Sequence, residues 1–233
     1  MEAPKQVPPI SELVRQVFGP NAEQAAQFEQ LLQVHGVERG LIGPREADRL
    51  WDRHLINSAV IGEQIPEGAS VLDVGSGAGL PGIPLAIARP DLKVILLEPM
   101  SRRVEWLKEV SSALGLSVEV IRGRAEDVAV RQTIVGVDVV TARAVAPLGR
   151  LAGWSLPFAR VGGLMLALKG TSAEEEILRD KAEIAKFGGA VPTIAQCGVG
   201  LIETPTTVVL IERLRPEQKS EKRRRNTNRP RGK

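Results

Sequence analysis

Val71-Leu-Asp-Val-Gly-Ser-Gly-Ala-Gly-Leu-Pro-Gly82 is the stretch whose reading decides the fold. Four strand-like residues run into a loop with glycine at 75, 77, 79 and 82. The pattern predicts a helix from Gly82 to Arg89 and then a second apolar strand, Lys93 to Leu97, that ends in Glu98. A strand, a glycine loop, a helix and an acid at the next strand tip make a nucleotide-type cofactor site. Side chains on the loop would hold the backbone away from a ligand. A carboxylate at position 98 can accept both hydroxyl protons of a ribose diol.

Outward from that stretch, strands are expected at 70–74, 93–97, 117–121, 137–142, 163–169, 192–197 and 206–213. Helices are expected at 82–89, 101–114, 125–130, 147–158 and 173–187. Their alternation implies an α/β fold: a Rossmann-like, seven-stranded, mostly parallel sheet with helices on both faces. No helix separates the last two strands, so they should form a C-terminal antiparallel hairpin. Before the sheet, residues 11–35 read as a helical cap. Ser11 and Asn21 are candidate N-caps, and Gly36 is a stop. Pro44 should open a third helix that runs to about Ile61, with Trp51, His54, Leu55 and Ser58 on one side. Residues 1–214 are expected to form one domain, with the cap at 1–62 and the core at 68–214.

The fingerprint Gly77-x-Gly79-x-x-Gly82 matches a dinucleotide site, but the first glycine after the strand is Gly75. The register is therefore Gly75-x-Gly77-x-Gly79. A nicotinamide enzyme of this architecture needs two mononucleotide-binding halves, and here one half is followed by a hairpin. Asp73 before the loop and Glu98 after it favour S-adenosylmethionine over a dinucleotide.

The chain has 233 residues and a formal charge of +3, unevenly spread. Residues 215–233 hold nine Lys or Arg against two Glu, and the rest holds 22 against 26. The tail, with Lys222, Arg223, Arg224 and Arg225 in succession, has almost nothing to bury and should be disordered. It fits a phosphate-seeking arm whose RNA affinity is salt-dependent and unspecific. A solvated terminus is the alternative. A lone cysteine, Cys197, precludes an intrachain disulfide framework and is expected as a small buried hydrophobe. With no membrane span and no secretory pattern, a cytoplasmic location is expected.

Six segments, in this order, resemble the bacterial small-subunit rRNA guanine-7-methyltransferase family (RsmG, also GidB). They are Arg53-His-Leu-Ile-Asn-Ser58, Val71 through Pro90, Ser101-Arg-Arg-Val104, Arg122-Gly-Arg-Ala-Glu126, Thr141-Ala-Arg-Ala144 and Leu166-Ala-Leu-Lys-Gly170. Leu80-Pro-Gly-Ile-Pro84, directly after the loop, is more specific than the glycines. The resemblance covers about residues 20–213. Asn57 departs from the pattern, which usually has aspartate there, and the basic tail lies outside it.

The resemblance implies S-adenosylmethionine-dependent transfer of methyl to the 7-nitrogen of one guanine in 16S rRNA. The partner it implies is the small ribosomal subunit or its RNA; a monomeric chain without a metal or membrane partner is expected. It carries cofactor contacts onto Gly75, Leu80, Ala125, Glu126 and Arg143. Asp73, Gly77, Gly79 and Glu98 join them on the physical reading. All should lie at carboxyl ends of parallel strands, where open α/β sheets bind ligands. Ala125 and Glu126 could read an adenine edge. Arg143 could meet the cofactor's carboxylate or an RNA phosphate, or pair structurally with Asp138 or Glu126. Arg143, Lys169 and Arg45 are candidates for the guanine 6-oxygen and Watson–Crick edge.

The 7-nitrogen carries an exposed lone pair, so its methylation needs positioning rather than a general base. No catalytic triad is visible, and two histidines leave no plausible metal site. His54 is expected as a satisfied, partly buried histidine, and Trp51, Trp106 and Trp154 as packing residues. Two alternatives stay open: a methyltransferase on a substrate other than RNA, and an assembly factor that holds the cofactor without turnover.

Overall fold

The computed structural model of the chain describes residues 10–134, 136–143 and 146–216. The basic run Lys222–Arg225 therefore lies outside the described residues. The cap consists of α1 (Glu12–Phe18) and α2 (Ala22–His35), followed by an irregular stretch that ends in α3 (Ile56–Val60). The Ser11 side chain caps α1 by accepting from the Val14 N–H at 3.3 Å, as its position predicts. Asn21 does not cap α2. Its side-chain amide instead donates to the Ile87 carbonyl at 2.8 Å, tying the cap to the core.

The expected third helix is not continuous. Residues 47–49 form a 3₁₀ turn, Trp51–Leu55 form a π-helical turn, and α3 follows. The wide turn is closed by the Ile56 N–H bonding to the Trp51 carbonyl. Such turns are a recurrent feature of functional sites, and His54 lies within this one.

The core alternates β1 (Ser70–Val74), α4 (Gly82–Ala88), β2 (Lys93–Glu98), α5 (Ser101–Ala113), β3 (Glu119–Arg122), α6 (Val128–Thr133) and β4 (Val137–Arg143). It continues with α7 (Leu148–Ser155), β5 (Ala159–Leu168), α8 (Ala173–Lys186), β6 (Thr193–Cys197) and β7 (Thr206–Glu212). The seven strands order as β3-β2-β1-β4-β5-β7-β6. The first five run parallel, and β7 is antiparallel to both β5 and β6. The order reverses between β1 and β4, the switch point at which such sheets open a crevice at their carboxyl ends.

Two shifts from expectation affect the site. The helix expected at 125–130 begins at Val128, which leaves Ala125 and Glu126 in the turn after β3. Strand β5 begins at Ala159 rather than 163, and its pairing with β4 slips between Val137 and Val139. On one sheet face, Phe28 and Leu32 of the cap join Val71, Leu85, Leu96 and Val208 in a continuous apolar cluster. Cys197 is buried in that cluster. Burial pushes its thiol up to about 11, with Glu63 adding to the effect.

Candidate active site

The glycine loop leaves β1 with positive φ at Gly75 (74°), Gly77 (55°) and Gly79 (100°). L-residues rarely adopt this conformation. The Gly75 and Ser76 N–H groups both donate to the Leu97 carbonyl, at 2.8 and 3.2 Å, and pin the loop to β2. One residue further, Glu98 is 2% exposed. One of its carboxylate oxygens accepts from the Gly77 N–H and the other from the Met100 N–H, each at 2.9 Å. Each oxygen keeps a lone pair for a further donor. Gly75, Ser76, Gly77 and Glu98 line a cavity of about 600 Å³.

The glycines divide by role. At Gly77 a Cβ would approach only the Arg103 guanidinium, 3.9 Å away, and the Gly75 carbonyl at 3.7 Å. At Gly79 it would lie 2.6 Å from Ile83, so that glycine serves packing and does not line the cavity. Asp73 also differs from expectation. It is wholly buried beneath the loop, outside the cavity lining, and accepts from the Gly82 N–H at 3.1 Å. Burial raises its carboxyl to about 7, against the pull of Ser76 and the Gly82 amide. Asp73 braces the start of α4 and does not reach the cavity lining.

Leu80, Ala125 and Glu126 line the same cavity. Trp154 of α7 and Arg103 of α5 also line it, although the sequence reading placed neither in the site. Arg103 lay inside a resembling segment; Trp154 carried no signal separating it from the packing tryptophans. Trp106 is a packing residue as expected, its indole N–H donating to the Ala78 carbonyl at 3.0 Å. Trp51 packs edge-on against Phe18.

Arg143, at the end of β4, closes one side of the cavity. It pairs with neither Asp138 nor Glu126. Asp138 is taken by Ser70 and Arg160, which hold its carboxyl well below the usual range. The Arg143 guanidinium reaches the cap, donating to His54 Nδ1, to the His54 carbonyl at 3.4 Å and to Ser58 Oγ at 3.3 Å. His54 Nε2 in turn meets Glu46 at 2.6 Å. An arginine always donates, so Nδ1 must accept, and the ring proton sits on Nε2 facing Glu46. Burial and the Arg143 charge lower the His54 pKa, which keeps the ring neutral.

Arg143 also borders a second cavity of about 320 Å³, shared with Arg53, Asn57, Lys169 and Thr206. Lys169 is braced by Glu176 at 2.8 Å and the Ala146 carbonyl at 3.1 Å. Arg45 is exposed and lines neither cavity. Among the described residues, no three His, Cys, Asp or Glu side chains are grouped as a metal site would require.

Comparison with known structures supports the architecture. The chain matches an S-adenosylmethionine-dependent methyltransferase, SibL in its apo form, at TM-score 0.56 and 16% identity, covering 86% of this chain and 76% of that one. A SAM-dependent methyltransferase from Aquifex aeolicus matches at TM-score 0.52 and 18% identity, over 74% of this chain and 100% of that one. At these identities the likeness shows the fold. Sequence relatives are much nearer. A ribosomal RNA small subunit methyltransferase G from Corynebacterium jeikeium is 56% identical over 217 residues, 92% of this chain and 98% of the relative. One of the same name from Salinispora arenicola is 53% identical over 232 residues, 95% and 96% of the two chains. The family described as "GidB: rRNA small subunit methyltransferase G" matches residues 21–203, which include the glycine loop, Glu98 and Arg143. With the matched region spanning cap and sheet alike, this chain belongs to the rRNA small subunit methyltransferase G family.

Proposed function

We propose that the chain transfers a methyl group from S-adenosylmethionine to the 7-nitrogen of a guanine in 16S rRNA. The observation that carries this reading is Glu98, a buried carboxylate braced by two backbone amides on the wall of a glycine-lined cavity. Its remaining lone pairs suit a ribose diol, and the open backbone at Gly75 and Gly77 suits close approach of a nucleoside-bearing cofactor. Ala125 and Glu126, in the turn after β3, would hold the base edge. When bound, the cofactor supplies an electrophilic methyl on a sulfonium.

The residues around it have little proton chemistry to perform. A guanine 7-nitrogen would bring a lone pair that is already free, so no residue here would need to take a proton from it. His54 lines the cavity, but Arg143 occupies its Nδ1 and Glu46 its Nε2. It is placed to hold Arg143 rather than to act as a base. The protein's contribution is then orientation of the two reactants in the cleft, the effect that makes bimolecular steps effectively unimolecular.

Small ribosomal subunits lacking the modification, incubated with the chain and labelled S-adenosylmethionine, should yield label in 7-methylguanosine after digestion of the RNA. Glu98→Gln puts an amide where a carboxylate accepts two N–H groups, and should weaken cofactor binding by about tenfold or more. Label in another nucleoside would overturn the 7-nitrogen assignment. Cofactor binding with no labelled RNA would make the chain a binding factor instead.

A further inference from the structure

The second cavity holds the observation that the methyl-transfer reading leaves unused. Arg143 makes three hydrogen bonds, and every acceptor is neutral: a ring nitrogen, a carbonyl and a hydroxyl. Among the described residues no carboxylate lies within ion-pair distance of it. The carboxylates of Glu46, behind His54, and of Asp73 attract it from a distance but neither bonds it, and a largely buried guanidinium without a bonded anion is costly unless one completes it. The other two cations on the cavity wall are compensated from outside it, Arg53 by Glu46 at 3.2 Å and Lys169 by Glu176 at 2.8 Å. Neither acid lines the cavity. Thr206, 8% exposed, lines it too, and its hydroxyl oxygen is buried with no hydrogen-bond partner. Asn57 adds an uncharged amide to the same wall.

Three cations, a spare hydroxyl and no acid on the walls describe a seat for a tetrahedral, multiply accepting anion. A neutral base there would leave Arg143 uncompensated. The cofactor's carboxylate is the competing anion and can meet Arg143 from the larger cavity, but Arg53, Lys169 and Thr206 line only the smaller one. We propose that the cavity bounded by Arg53, Asn57, Arg143, Lys169 and Thr206 binds a backbone phosphate of the RNA strand that carries the target guanine. Arg143 would then stand between the two sites, with Arg53, Lys169 and Thr206 holding the phosphate from the side away from the larger cavity. This rests on the RNA reading above and adds where the strand is gripped.

Three measurements on the full-length chain test it. Inorganic phosphate at matched ionic strength should raise the melting temperature of the wild type above its value in chloride, and the rise should shrink in Arg53→Gln and Thr206→Val. Binding of a fluorescent single-stranded RNA containing guanine should show a salt slope smaller by about 0.7 in Arg53→Gln, the loss of one phosphate contact. Thr206→Val keeps its shape and loses only the hydroxyl, and should bind that RNA about tenfold more weakly. S-adenosylmethionine affinity should not change in either variant. RNA affinity and slope unchanged in both variants would overturn the proposal, even if free phosphate still stabilised the protein. A tenfold loss of cofactor affinity would overturn it too, by giving the cations to the cofactor's carboxylate. Failure of the underlying reading looks different: wild-type chain that labels no rRNA at all.

Discussion

His54 shows how a single proton position organises the site. Its Nε2–H faces Glu46 and its Nδ1 accepts from Arg143, with Arg53 and the Ser58 hydroxyl nearby. Burial first, and then the Arg143 charge, depress its pKa from 6.5, and Glu46 opposes them. A histidine with a lowered folded pKa contributes stability that is fully present above its unfolded value and is lost as pH falls through the folded one. Activity should follow the same direction, because a protonated ring cannot accept from Arg143. Turnover should therefore have an acid limb below neutrality. His54→Asn keeps an acceptor near the Nδ1 position and cannot gain a proton there. It should flatten that limb at about a fivefold cost from losing the Glu46 bond. The pH profile of kcat/KM from 5 to 8 checks this, and an acid limb that survives in His54→Asn would assign it elsewhere. Glu98 was legible in the sequence because an acid ending an apolar strand has few other uses. The Arg143–His54 contact was not, since its partners lie 89 positions apart, one in the cap's π turn and the other at the end of β4.

Among the elements, the join between glycine loop and α4 is the most constrained. A Cβ at Gly82 would collide with the Leu96 side chain and sit 2.8 Å from an Asp73 carboxylate oxygen. Gly82→Ala should then cost about 1–3 kcal/mol, as overpacking does, and shift α4 away from β2. Urea denaturation measures the loss, and a stability equal to wild type would mean that the join is softer than its packing implies. The strands themselves could be read from their apolar runs, and β1 lies where the pattern put it. The start of α6 could not. Ala125 and Glu126 are good helix formers, but the Asp127 N–H bonds back to the Arg124 carbonyl at 3.0 Å and the Asp127 side chain accepts from the Arg124 N–H at 3.3 Å. That closed turn competes with helix and holds both residues on the cavity wall. Asn21 was lost to the same kind of competition, because a carbonyl 66 residues away drew its amide from capping.

At the scale of the molecule, cap and sheet share one apolar cluster, so they should unfold together. Phe28 lies at its cap end and is fully buried. Phe28→Ala should lower stability by about 3–5 kcal/mol. Tryptophan fluorescence and far-UV circular dichroism should still trace a single coincident transition. A first phase seen by fluorescence alone would mean that the cap melts independently of the sheet. The alternation of strands and helices made the sheet legible from the sequence. The insertion of β7 between β5 and β6 was not, because an antiparallel hairpin can attach by either strand and the choice rests on pairing across the whole sheet.

The buried cysteine gives this architecture a built-in clock. Cys197 ends β6, the outermost strand on its side, yet it is fully enclosed and its thiol is pushed up to about 11. At pH 8 only about one molecule in a thousand carries the thiolate that alkylating reagents attack, and even that sulfur is out of reach. Labelling must wait for the edge of the sheet to open. Since the chain has no other thiol, the rate at which a reagent enters reports the frequency of that opening directly, in the native protein and without an introduced probe.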